Sequence, residues 1–299
     1  MGFEAGLKTI VVATDLDGHS EAALEYARKI ARAYGAHIVL SYGLDPLDYA
    51  AIENVPRALL RDVPEEARAA LARMNNELSQ DGIYSHSEIR QDTVVGTLLD
   101  VARQQDAGLI IVGTEGRNGA GPVAVGAVVE ELVRRATCPV LAVAADWNAG
   151  PFRPIPGRPI LLAAERNQAT SAAVATAVSL AEKFDRSLLV VHARTAAEAS
   201  AFLNPCATTF EDFGIRPSEA LDVRCVVKDG RPLEAITNAI TQYYPSILVV
   251  GVKRVSESGG LHGTAFSLLA NSRVPVLCVP ETAGVPTSLG AESVQTIAG

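Results

Sequence analysis

Leu109–Thr114 reads LIIVGT, and Ile247–Val252 reads ILVVGV. Both runs are short, continuously apolar and rich in β-branched residues, and each carries a glycine near its end. This is the pattern of a parallel strand covered by helices on both faces. Working outward from the matched pair, four further runs flank each member in the same order. The first half holds Thr9–Thr14 (TIVVAT), Ile38–Gly43 (IVLSYG), Ser85–Gln91 (SHSEIRQ) and Val140–Ala144 (VLAVA). The second holds Ile160–Glu165 (ILLAAE), Leu188–Ala193 (LLVVHA), Val223–Lys228 (VRCVVK) and Val276–Pro280 (VLCVP). A repeat of this length makes the chain two copies of one α/β unit. The spacing between copies falls from 150 residues at the acid after the first run to 136 at the proline before the fifth, so the second copy is shorter. Only the third run of each half alternates polar and apolar, which predicts an edge strand.

Between the first two runs, Ala23, Ala27, Ile30, Ala31 and Tyr34 fall on one helical stripe, with Ser20 placed to cap it and Gly35 to end it. In the second copy Val174, Ala177, Val178, Ala181 and Phe184 repeat the stripe behind Thr170 and Ser171. Each half therefore reads strand, helix, strand with a right-handed crossover. Arg61–Arg73 predicts a solvated helix face with Glu/Arg pairs. The expected domains are 1–146 and 158–281, joined by a Pro/Gly-punctuated linker over 147–157 and followed by a loosely ordered tail over 282–299.

Of the 299 residues, 48% are hydrophobic and 20% charged, enough for two cores. No stretch reaches the length of about 18 uncharged apolar residues that a spanning helix needs. A membrane is thus not expected as a partner, and with no leader pattern in Met1–Lys8 the cytoplasm is the expected location. The net charge of −8 offers no basic face for nucleic acid. Cys138, Cys206, Cys225 and Cys278 form no C-x-x-C pair and read as buried thiols. His19, His37, His86, His192 and His262 share no metal-ligand spacing, so no metal site is expected. G-x-S-x-G and the P-loop pattern are both absent, and no catalytic residue is assigned.

In an open parallel sheet a ligand binds beyond the carboxyl ends of the strands, where strand order reverses. Asp15 follows the first run there, and Gly113 follows the fourth, leading into TEGRNGAGPVAVGA. A glycine-dense loop running into a helix lets backbone N–H groups approach phosphate oxygens.

The segment GTEGRNGAGPVAVGAVVEELVRRATCPVLAV resembles the closing segment of the universal stress protein family, whose ATP-binding members carry G-x2-G-x9-G-[ST]. Gly113, Gly116 and Gly126 match that spacing, and Ala127 occupies the Ser/Thr position, removing one hydroxyl. The resemblance implies that Asp15 contacts the nucleoside and that a backbone group of Tyr42 does so too. It further implies two tandem open five-stranded parallel sheets of the adenine nucleotide alpha-hydrolase-like, Rossmann-like kind, with strand order 3-2-1-4-5. ATP, with Mg2+, is the implied ligand, and the role is a stress-response regulator or scaffold acting on a protein partner, with weak ATPase activity at most. Single-domain members dimerise through the fifth strand, so a tandem chain is expected to pair Val140–Ala144 with Val276–Pro280 internally as a pseudo-dimer, with a homodimer of chains also compatible.

In the second copy Glu165 replaces the acid and Gly251 is kept. Arg254 stands at the second glycine, and only Val255–His262 precede Gly263 and Thr264. This copy reads as a degenerate site, against the alternative that Lys253 and Arg254 hold an anion by charge. Two other functions stay open at the level of sequence: a scaffold that binds no nucleotide, and an ATP-pyrophosphatase or adenylyl-transfer relative.

Overall fold

The computed structural model describes residues 7–16, 20–44, 65–114, 127–144, 157–164, 169–194, 210, 214–253, 263–272 and 274–281. In the first lobe the elements are β1 (Thr9–Ala13), α1 (Glu21–Tyr34), β2 (His37–Gly43), α2 (Glu65–Gln80), β3 (Ser85–Arg90), α3 (Val94–Gln104), β4 (Leu109–Gly113), α4 (Ala127–Arg135) and β5 (Val140–Val143). The second lobe holds β6 (Ile160–Ala163), α5 (Ala169–Lys183), β7 (Leu188–Arg194), β8 (Val223–Asp229), α6 (Pro232–Tyr243), β9 (Ile247–Val252), α7 (Thr264–Asn271) and β10 (Val276–Pro280). Residues 147–156 of the linker and the tail over 282–299 lie outside the described residues.

The ten strands form one sheet in the order β3-β2-β1-β4-β5-β10-β9-β6-β7-β8. Each lobe thus has the 3-2-1-4-5 order, and β3 and β8, the alternating runs, are its two edges. Every pairing is parallel except one. At the middle, β5 and β10 run antiparallel, with Leu277 opposite Leu141 and Cys278 opposite Val140. Two exposed fifth-strand edges are thereby covered within one chain, which removes the templates for aggregation that open edges present.

Burial on both faces explains why the strands are unbroken apolar runs. One face packs under α1, α2 and α5, with Ile10, Ile38, Leu40, Ile111, Leu162 and Val190 at its floor. The other packs under α3, α4, α6 and α7 around Val11, Ile110, Val140, Leu161 and Val250. Each core crosses from lobe to lobe without a break. Side chains also join the lobes directly. The Tyr26 hydroxyl donates to the Ser246 carbonyl at 3.0 Å, and the Tyr34 hydroxyl lies 2.9 Å from Ser179 Oγ. A buried tyrosine needs such a partner for its hydroxyl.

Gly35 ends α1 in the left-handed conformation, with φ 66°, as its position predicts. Two expectations are corrected. Ser20 does stand at the start of α1, but its side chain makes no capping bond to the helix; the hydroxyl is turned toward Asp15 instead. Cys225 is disulfide-bonded and is no buried thiol. Cys138 and Cys278 are free and buried as expected, and burial pushes each thiol up to about 12.

Candidate nucleotide site

The site is built at the point where the chain changes winding direction. From β1 it winds outward through β2 to β3, then crosses back to β4 on the other side of β1. β1 stays paired with β2 as far as Ala13 opposite Ser41. Its pairing with β4 stops one residue earlier, at Val12 opposite Ile111. Beyond that point the two strands separate. The Thr14 N–H donates to the Ser41 carbonyl, while the Thr114 N–H donates away from β1 to Val143. The ends of β1 and β4 therefore diverge at the switch point, the place where open α/β sheets take ligands.

Asp15 lies two residues beyond β1 on this side of the sheet and is held in place by its neighbours. Ser20 Oγ donates to Asp15 Oδ1 at 3.0 Å and lies 3.2 Å from Thr14 Oγ1. Thr14 Oγ1 in turn accepts from the Leu16 N–H at 3.3 Å. Thr14 and Ser20 are buried, whereas Asp15 is half-buried. Leu16 adopts φ 65°, a conformation that costs a non-glycine residue roughly 1 kcal/mol or more. The turn after β1 is thus fixed by side-chain bonds that offset backbone strain. A carboxylate at the end of a strand, oriented before any ligand arrives, is suited to accept N–H or O–H donors.

Tyr42 is the next-to-last residue of β2, and its side chain is buried in the core on the α1 and α2 side. Gly43 follows, and a Cβ there would sit 3.1 Å from Val94 Cα and 3.2 Å from Thr97 Oγ1, so glycine lets α3 approach closely. Gly113 ends β4 beside Val143. Ala127 is the first residue of α4 and is exposed. Gly116 and Gly126 lie outside the described residues. Asp15, Tyr42, Gly113 and Ala127 thus share the carboxyl-end side of one sheet. Sequence reasoning missed Thr14 and Ser20. The signal was the T-D-x-x-x-x-S spacing, which allows a hydroxyl to turn back on the acid as well as forward into the helix.

In the second lobe, register places Ala164 where Thr14 stands and buried His192 where Tyr42 stands. Gly251 matches Gly113, and α7 starts at Thr264 as α4 starts at Ala127. Glu165 and Arg254 lie outside the described residues. No group of three or more His, Cys, Asp or Glu residues able to hold a metal occurs among the described residues.

The model of the universal stress protein family matches residues 6–144. The first lobe is a universal stress protein domain. Over 138 residues it is 28% identical to a universal stress protein of Methanocaldococcus jannaschii, covering 46% of this chain and 81% of that protein. Over 139 residues it is 29% identical to one of Thermus aquaticus, covering 46% of this chain and 98% of that one. Both lobes together share the fold of the crystal structure of a universal stress protein from Archaeoglobus fulgidus. The TM-score is 0.70 at 16% identity, over 91% of this chain and 98% of that one. The cytoplasmic domain of a prokaryotic cation chloride cotransporter also shares the fold, with a TM-score of 0.57 at 14% identity over 93% and 97% of the two chains. The two-lobed fold alone therefore does not select a function. Among the described residues no helix is long and apolar enough to cross a membrane.

Proposed function

We propose that this chain is a stress-response regulatory protein that binds one adenine nucleotide, ATP carrying Mg2+, in its first lobe. The observation that carries the reading is Asp15, held by Ser20, itself bonded to Thr14, at the switch point where β1 and β4 separate. In this reading the Asp15 carboxylate and the Tyr42 backbone take the nucleoside. Gly113, Gly116 and Gly126 bring backbone N–H groups to the phosphates, and the start of α4 at Ala127 adds a favourable dipole. Ala127 withholds the hydroxyl that a Ser or Thr would supply, which weakens binding without abolishing it. Nucleotide occupancy then biases the loop after β4 and a protein partner's access to it. ATP hydrolysis is at most a weak side activity, and the working place is the cytoplasm.

Titration calorimetry with ATP on the purified chain tests the reading, with one site per chain expected. Replacing Gly116 with Arg, the residue type found at the matching place of the second half, should abolish binding. Lack of heat with ATP, or retained binding in Gly116→Arg, would refute the assignment. A nucleotide-free scaffold is the second reading, favoured by Ala127, and the same titration decides between them.

A further inference from the structure

The lobes meet unevenly where α1 and α5 cover the seam of β5 and β10. The register that carries Thr14 onto Ala164 carries Tyr26 of α1 onto Thr176 of α5, and Gly108, just before β4, matches Ser246, just before β9. Backbone bonds bear out the match. The Gly108 N–H donates to the Thr9 carbonyl, and the Ser246 N–H donates to the carbonyl of Pro159, the counterpart of Thr9. On one side of the seam Tyr26 fills the space up to Ser246, its hydroxyl donating to the Ser246 carbonyl at 3.0 Å. On the other side the matching residues are Thr176 and Gly108, which are smaller, and a cavity of ≈ 40 Å³ remains beside them.

The lining comes from both lobes. Ile30 and Leu180, Leu109 and Ile247, and Leu141 and Leu277 face the cavity as matched pairs, one member from each half. By size alone the space could take about three waters. Its chemistry is against them, because a buried water needs two or more polar partners. The hydroxyls at the lining already have partners: Thr176 Oγ1 donates to the Ala172 carbonyl at 2.8 Å, and the Tyr34 hydroxyl lies 2.9 Å from Ser179 Oγ. So do the backbone groups, since Thr9 takes the Gly108 N–H and the Pro139 carbonyl accepts from the Ile110 N–H at 2.9 Å. Leu7, Tyr34 and Gly108 are half-buried and form the rim, while the other lining residues are buried.

We propose that this cavity is a binding site for a small uncharged apolar molecule, of hydrocarbon character and about three heavy atoms, held between the two lobes. An empty space in a close-packed interior forfeits dispersion contacts that a guest of matching size restores. Because each lobe supplies part of the lining, an occupant stabilises the seam as a unit. The site lies at the amino ends of β4 and β9, away from Asp15 at the carboxyl ends, so nucleotide is not needed to fill it.

Xenon, which is compact and has no polar atom, is the probe, applied under pressure to the full chain without nucleotide and with isotope-labelled Ile, Leu and Val methyl groups. Signals of Ile30, Leu141, Leu180, Ile247 and Leu277 should shift together and saturate as xenon pressure rises. Those of Val11 and Leu161, in the core on the other face of the sheet, should stay still. Thr176→Tyr gives α5 the side chain that α1 already carries; it should fill the cavity and weaken xenon binding about tenfold or more. Thr176→Leu fills it in part, should weaken binding less, and serves if the first variant does not fold. Thr176→Val keeps the size without the hydroxyl and should bind like the parent. Unmoved lining methyls, shifts of equal strength in the parent and the two filling variants, or loss of binding in Thr176→Val would overturn the proposal. So would cross-relaxation between water and the Leu141 and Leu277 methyls, the mark of a hydrated cavity.

Discussion

Asp15 receives a hydrogen bond from Ser20 at 3.0 Å, and in the proposed reading this half-buried carboxylate carries the site's specificity. Asp15→Asn keeps the shape but removes the charge, and should weaken ATP binding by about 1.5 to 3 kcal/mol, the range for a hydrogen bond to a charged group, with little change in melting temperature. Titration of the variant beside the parent checks this. Ala127→Ser should tighten binding about tenfold by restoring one hydroxyl at the first residue of α4. The role of Ser20 shows where sequence reading stops. A serine just before a helix is expected to cap it by accepting a helix N–H, yet Ser20 has α-region backbone angles, φ −83° and ψ −4°, rather than the extended ones of a cap, and its hydroxyl donates to Asp15 instead. Spacing names the candidates but does not rank them. The fate of Cys225 was illegible for a related reason, since disulfide pairing depends on tertiary proximity that an isolated cysteine in a strand does not disclose.

At the scale of elements, the strands were the most legible feature because two-sided burial leaves an unbroken apolar signature. The pairing of β5 with β10 followed from the resemblance to single-domain proteins that dimerise through this strand, an arrangement that hides a short apolar edge on each lobe. Leu141 and Leu277 face each other across that seam and are both buried. Leu277→Ala should cost about 2 to 5 kcal/mol, and chemical denaturation should show both lobes losing stability together. Stability lost from the second lobe alone would mean the seam is a mere contact. Cys138 and Cys278 flank the same seam, with thiols raised by burial from 9.0 to about 12. Such a group is neutral when folded but ionises once unfolded, so it favours the unfolded chain as pH rises from 9.0 toward about 12. Each thiol should remove roughly 1 kcal/mol per pH unit in that window. Urea midpoints of the parent and of Cys138→Ala/Cys278→Ala should therefore converge as pH rises from 9 to 10.5, and parallel lines would refute the assignment.

For the whole molecule, one continuous sheet with two shared cores makes the tandem chain an internal pseudo-dimer whose halves have diverged. The first lobe keeps the Thr14, Asp15 and Ser20 arrangement and the packed helix α2; the second has Ala164 in place of Thr14, a shorter connection, and a disulfide at its edge. An asymmetric pair of this kind is expected to bind ligand on one side only. The stoichiometry of ATP binding measured by calorimetry tests this most directly. One site per chain, lost or much weakened in Asp15→Asn, is the predicted result; two sites, no binding, or one site indifferent to Asp15→Asn would contradict it.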